Sequence, residues 1–88
     1  MTEDEFRSEL VERGYREPRS TVFAPNADGE LHSHDFSAMV MVTDGEFRLV
    51  LEDETRVFGA GDWCEVAAGT VHAEQAGPAG ATLLAGTK

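Results

Sequence analysis

The sequence predicts an all-β fold: a single small antiparallel β-barrel preceded by one short N-terminal α-helix. Three observations predict it. Only the first fourteen residues carry a helical stripe. After Gly14 the chain is a succession of short β-branched and aromatic runs, each cut by a turn signal. No helical pattern separates those runs, so they build an antiparallel sandwich or barrel rather than a parallel sheet. The 88 residues have room for one domain with one modest core. The division is residues 1–14 for the helix and residues 15–88 for the barrel.

The helix runs from Thr2 to Arg13. Thr2 and Glu5 have capping-box spacing, and acidic residues fill the first turn, where the helix dipole favours them. Phe6 and Leu10 lie four apart on one face, and Gly14 stands where a C-terminal glycine cap belongs. Candidate strands follow at Ser20–Ala24 and Glu30–His34. Ser37–Thr43 and Glu46–Glu52 flank Asp44-Gly45, which reads as a two-residue hairpin turn. Thr55–Phe58, Asp62–Val66, Thr70–Gln75 and Ala81–Ala85 bring the total to about eight short strands. Phe47, Leu49 and Leu51 alternate with Glu46, Arg48 and Val50 and mark one core-facing stripe. Ala38-Met39-Val40-Met41-Val42 is apolar on both faces, so the helix or another subunit covers its outer side. A homodimer is expected on that ground, with Met39 and Met41 at its interface.

Composition excludes several functions. The net charge is −10, which repels phosphate backbones and anionic membranes, so no nucleic-acid partner is expected. No apolar run approaches the roughly 20 residues of a membrane span. The acidic start Met1-Thr2-Glu3-Asp4-Glu5 lacks the basic and apolar regions of a signal peptide, so a cytoplasmic chain is expected. The single cysteine, Cys64, permits no internal disulfide and reads as a small core residue. Trp63 reads as core or interface packing. There is no CxxC pair, no Ser-His-Asp order and no phosphate-cradling glycine loop.

The chemistry rests on the histidines, of which there are three. His32 and His34 are two apart and point to one face of a strand. His72 on a neighbouring strand would complete a facial trio of imidazoles with open coordination positions. Scattered surface histidines are the alternative reading. Glu74, two residues past His72, shares its face and is a further pocket residue. It would ligate the metal, orient a ligand histidine from behind, or act as a base. A solvated rim carboxylate is the alternative.

The spacing around these histidines resembles the cupin superfamily. The first motif of that family, G-x5-H-x-H-x3,4-E-x6-G, falls on Asn26, His32-Ser33-His34, Ala38 and Gly45. The second, G-x5-P-x-G-x2-H-x3-N, falls on Gly61, Ala67-Ala68-Gly69, His72 and Ala76. Four positions depart from the pattern: Asn26 for Gly, Ala67 for Pro, Ala76 for Asn, and Ala38 for the usual metal-binding Glu. Asn tolerates the left-handed backbone that the first glycine serves. Ala38 cannot ligate, which leaves three histidines, a set with which some members of the superfamily hold iron. The resemblance implies a jelly-roll-like cupin barrel with a divalent metal ion (Fe, Zn, Mn or Ni) at His32, His34 and His72. It implies a small-molecule ligand and either of two functions. One is a metal-dependent enzyme of oxygenase, isomerase or decarboxylase type; the other is a non-catalytic module that binds or senses a metal or metabolite. A metal-free structural barrel is the third possibility.

Overall fold

The computed structural model describes all 88 residues. One helix, α1 (Glu3–Glu12), precedes five strands: β1 (Arg19–Phe23), β2 (Ala38–Leu51), β3 (Thr55–Phe58), β4 (Trp63–Val66) and β5 (His72–Thr87). Thr2 caps α1 with both bonds of the capping box: Glu5 N–H donates to Thr2 Oγ1 (3.1 Å) and Thr2 N–H to Glu5 Oε1 (2.8 Å). At the other end Gly14 takes φ 79°. Tyr15 N–H then reaches Leu10 O and Gly14 N–H reaches Val11 O, the paired bonds of a Schellman stop.

The frame of the molecule is the antiparallel pairing of β2 with β5, which runs from Ala38↔Thr87 to Leu51↔His72. Both strands bend together at their middles, where the register shifts between Val42 and Asp44 and again between Gly45 and Phe47. Gly45 sits at the bend with φ 79°, and a Cβ there would lie 2.1 Å from the carbonyl oxygen of Gly80. On one side of the bend the first half of β2 also pairs with β4, and the last half of β5 with β1. On the other side the last half of β2 pairs with β3. The first half of β5 is flanked there by the bridges Asp28↔Gln75 and His32↔His72. The result is one antiparallel sheet folded over on itself, as the sequence predicts in class, but not closed into a ring: β1 pairs with neither β3 nor β4.

Three expectations are corrected. Asp44-Gly45 is not a hairpin; β2 bends there but continues through it as one strand. A type I′ turn needs positive φ at both residues, and only Gly45 has it. The two segments Thr70–Gln75 and Ala81–Ala85 are likewise one strand, β5. Glu30–His34 is not a regular strand; it touches the sheet through the His32↔His72 bridge. Asn26 does adopt the left-handed region, at φ 58°.

The two-sided apolar strand has a simple cause. Met39 and Met41 face α1 and pack with Phe6, Leu10, Tyr15 and Leu84. The alternate positions face the interior between the folded layers, with Val42, Phe47, Leu49, Cys64 and Leu83 forming that core and Val40 packed on it. The helix therefore covers the face from which a second subunit was expected. Around the helix end, Arg13 lies over the Trp63 ring at 5.1 Å and pairs with Glu9 and Glu65. Tyr15 Oη donates to Glu65 at 2.8 Å.

Phe6 is fully buried at this helix–sheet contact. Phe6→Ala should destabilise the fold by about 3–5 kcal/mol, read by urea denaturation. A second outcome follows from Tyr15, whose phenol burial pushes up to about 12, reinforced by the Glu65 carboxylate. Its folded-state value lies above the ordinary one near 10, so stability present below that pH is lost as pH rises towards 12. The denaturation midpoint should fall over that interval, and fall less in Tyr15→Phe.

Candidate metal centre

The site is assembled by one antiparallel bridge. His32 N–H donates to His72 O (2.8 Å) and His72 N–H to His32 O (2.9 Å), so the two residues stand directly opposite and project to the same side. His34 and Glu74 each lie two residues further along their own segments and share that side. The imidazole centroids are 4.5 Å apart for His32–His72, 4.8 Å for His32–His34 and 5.4 Å for His34–His72. One donor atom from each of His32, His34, His72 and Glu74 lies within 4.8 Å of all the others. His72 is buried, and the other three are partly exposed.

The hydrogen bonds define the tautomers of two rings. His32 Nδ1 lies 2.7 Å from Glu30 O, and His72 Nδ1 lies 2.9 Å from Thr70 O. A carbonyl only accepts, so each Nδ1 carries a proton and each ring turns its Nε2 inward. Both Nε2 atoms face one carboxylate. Glu74 Oε1 lies 3.0 Å from His32 Nε2 and 3.5 Å from His72 Nε2. Two ligands each about 2.1 Å from one tetrahedral or octahedral metal ion are about 3.0–3.4 Å apart. The separations here fit that spacing, and three imidazoles with one carboxylate form a donor set suited to a first-row divalent metal.

Sequence reasoning places the three histidines and Glu74 on one surface, and all four are there. It misses Phe36. That ring stacks on His34 with centroids 4.6 Å apart and planes 20° from parallel, and so holds the imidazole that lacks a carbonyl tether. Phe36 shares the even-numbered alternation of His32 and His34, which was the available signal. Ser37 instead accepts from Ala68 N–H at 3.1 Å, away from the donors. Cys64 is buried in the core; burial pushes its thiol up to about 11, so it offers no thiolate at neutral pH. Beside the donors lies a cleft of about 160 Å³ between the layers, into which Ala38 projects with His34, His72 and Glu74.

A family model described as the cupin domain matches residues 19–84. The chain is a cupin. Among solved structures it is similar to KdgF from Halomonas sp., with 26% identity, a TM-score of 0.65, and coverage of 77% of this chain and 65% of that one. An RmlC-like cupin from Shewanella frigidimarina matches at 27% identity and TM-score 0.65, over 81% of this chain and 65% of that one. A variant of oxalate decarboxylase from Bacillus subtilis matches at 27% identity and TM-score 0.70, over 78% of this chain and 20% of that one. The chain thus spans less than two thirds of the length of each of these relatives. No curated protein matches it by sequence. No helix of this cupin is long and apolar enough to cross a membrane.

The place of Cys64 is testable by chemistry. With the thiol buried and held protonated, a disulfide reagent at pH 8 should label the native protein far more slowly than the urea-unfolded chain, followed by absorbance of the released thiolate.

Proposed function

We propose that this cupin binds one divalent metal ion through His32, His34, His72 and Glu74 and presents it to a small molecule in the adjoining cleft. The observation that carries the reading is the convergence of two inward-facing Nε2 atoms on one carboxylate oxygen, 3.0 and 3.5 Å away. A proton on one Nε2 bridges one such pair, whereas a divalent metal bound by the neutral rings satisfies both nitrogens and the carboxylate at once. Glu74 then takes a ligand role, in place of the carboxylate that the family's first motif carries where this chain has Ala38.

When bound, such a metal would act as a Lewis acid towards an oxygen ligand, with iron adding dioxygen chemistry. The chain's own contribution is to orient and to exclude water. Glu30 O and Thr70 O hold two tautomers, Phe36 props the third ring, and His72 is closed off from solvent. Among the neighbours, oxalate decarboxylase favours an enzyme, of the decarboxylase type. One observation favours the second reading, a metal-dependent binding or sensing module. Apart from the proposed ligands, no ionisable side chain lines the cleft to serve as a general acid or base. Oxygen consumption or product formation by the metal-loaded protein separates the two.

Calorimetry with Zn, Fe, Mn and Ni on protein purified without an affinity tag tests the site. The parent should bind one equivalent, and His34→Ala should lose stoichiometric binding. Glu74→Gln should weaken binding by less than loss of a histidine, because the amide oxygen still donates. Ala38→Glu should tighten it, since residue 38 faces the same cleft as His34, His72 and Glu74. Protons compete with a metal for imidazole nitrogen, so affinity should fall as the pH is lowered. Unchanged affinity in His34→Ala would remove the histidines from the site and the reading with them.

A further inference from the structure

The metal reading leaves open what the site takes, and the walls of the cleft narrow it. Resting on that reading, we propose that the ligand is a compact apolar molecule about the size of one ring, carrying a single anionic oxygen head. A small aromatic or alicyclic monocarboxylate is the simplest member of the class. The donors His34, His72 and Glu74 form one part of the lining. Most of the rest is apolar, with Phe23, Val40, Phe47, Leu49, Val66 and Leu83 contributing its bulk.

Size sets the first limit. The cleft holds about 160 Å³. An apolar cavity of about 150 Å³ lined by Leu, Ile and Phe stays dry and admits benzene. One ring therefore fits, and a drug-sized molecule, which needs roughly 300 Å³ or more, does not. The space exists because Ala38 and Ala85 are small where β2 and β5 run side by side.

Polarity sets the second limit. Apart from the donors, the only side chains in the lining that can form hydrogen bonds are the hydroxyls of Thr21 and Thr87. No lysine or arginine reaches the cleft, so a second carboxylate or a phosphate would find no counter-charge there. Nor does any buried side-chain polar atom in the protein lack a partner, so none is left waiting for the hydroxyls of a sugar. The head is chosen by charge: a divalent metal with Glu74 and three neutral imidazoles keeps one net positive charge, which one monoanionic oxygen donor neutralises. Phe36, stacked on His34 and partly exposed, supplies an aromatic wall between that head and solvent.

The test loads the tag-free protein with Co(II) and titrates benzoate, acetate, succinate and glucuronate, following the visible cobalt bands. Benzoate should perturb the bands and bind about tenfold or more tightly than acetate, because its ring leaves water for the cleft. Succinate and glucuronate should bind no better than acetate. Ala85→Leu fills the cleft without touching a donor. It should keep cobalt and acetate binding while losing the preference for benzoate; Val66→Phe does the same from β4 if the first variant fails to fold. Cobalt uptake with benzoate no tighter than acetate would overturn the ligand class and leave the metal reading standing. So would a benzoate preference that survives both substitutions. Failure of the parent to take up cobalt would overturn the metal reading and this inference together.

Discussion

The pairing of β2 with β5 along their full lengths is the constraint on which the rest of this cupin depends. Two strands that stay hydrogen-bonded must bend together, and they do so where Gly45 passes within van der Waals contact of Gly80. A side chain at either glycine would collide with backbone carbonyls. The bend turns one sheet into two facing layers and opens the cleft between them. It also leaves one end of β5 free to receive the segment that carries His32 and His34. Helix α1 then seals the outer face of the Met39–Met41 strand, which lets that strand be apolar on both sides within one chain.

The site is held by backbone as much as by side chains. His32 and His72 exchange both main-chain hydrogen bonds, so their spacing is as rigid as a ladder rung. The ring tautomers are set by carbonyls of residues two before each histidine, Glu30 and Thr70. This local arrangement repeats on both segments and aims each Nε2 at the same carboxylate. The result is two ring nitrogens converging on one carboxylate in a partly desolvated place, the arrangement on which the proposed cation site rests. The chain's overall charge of −10 favours the approach of a metal ion to it.

Function turns on the contrast between the donors and the walls beside them. The polar chemistry is concentrated in four side chains, and what adjoins them is apolar and small. On the proposed reading, the metal and Glu74 would supply the chemistry and the shape of the cleft would select the ligand. The structural neighbours include one named as an enzyme, oxalate decarboxylase, yet this chain spans less than two thirds of the length of each of those compared. Its own cleft is therefore the better guide to its ligand.

Local order was legible in the sequence wherever neighbouring residues decide it. The capping box at Thr2 and Glu5, the glycine stop at Gly14, the left-handed Asn26 and the alternation of Phe47 with Leu49 all follow from a few adjacent side chains. The His-x-His spacing made the donor face legible for the same reason, and the match to the family pattern made the class of fold legible. Continuity of the strands was not. Asp44-Gly45 signals a turn locally, but the long-range partner β5 supplies hydrogen bonds on both sides of it and draws the left-handed glycine into a bulge. What covers Met39 and Met41 was likewise undecided, since helix and second subunit are equally apolar to a strand; the docking of Phe6 and Leu10 decided it. So was the stacking of Phe36 on His34. By itself the sequence determined the class of fold, the helix with its caps, and that His32 shares a face with His34 and His72 with Glu74. Only the tertiary structure decided that His72 stands opposite His32 and that Glu74 meets the Nε2 atoms of both, because strand register is a property of two distant segments and neither encodes it alone.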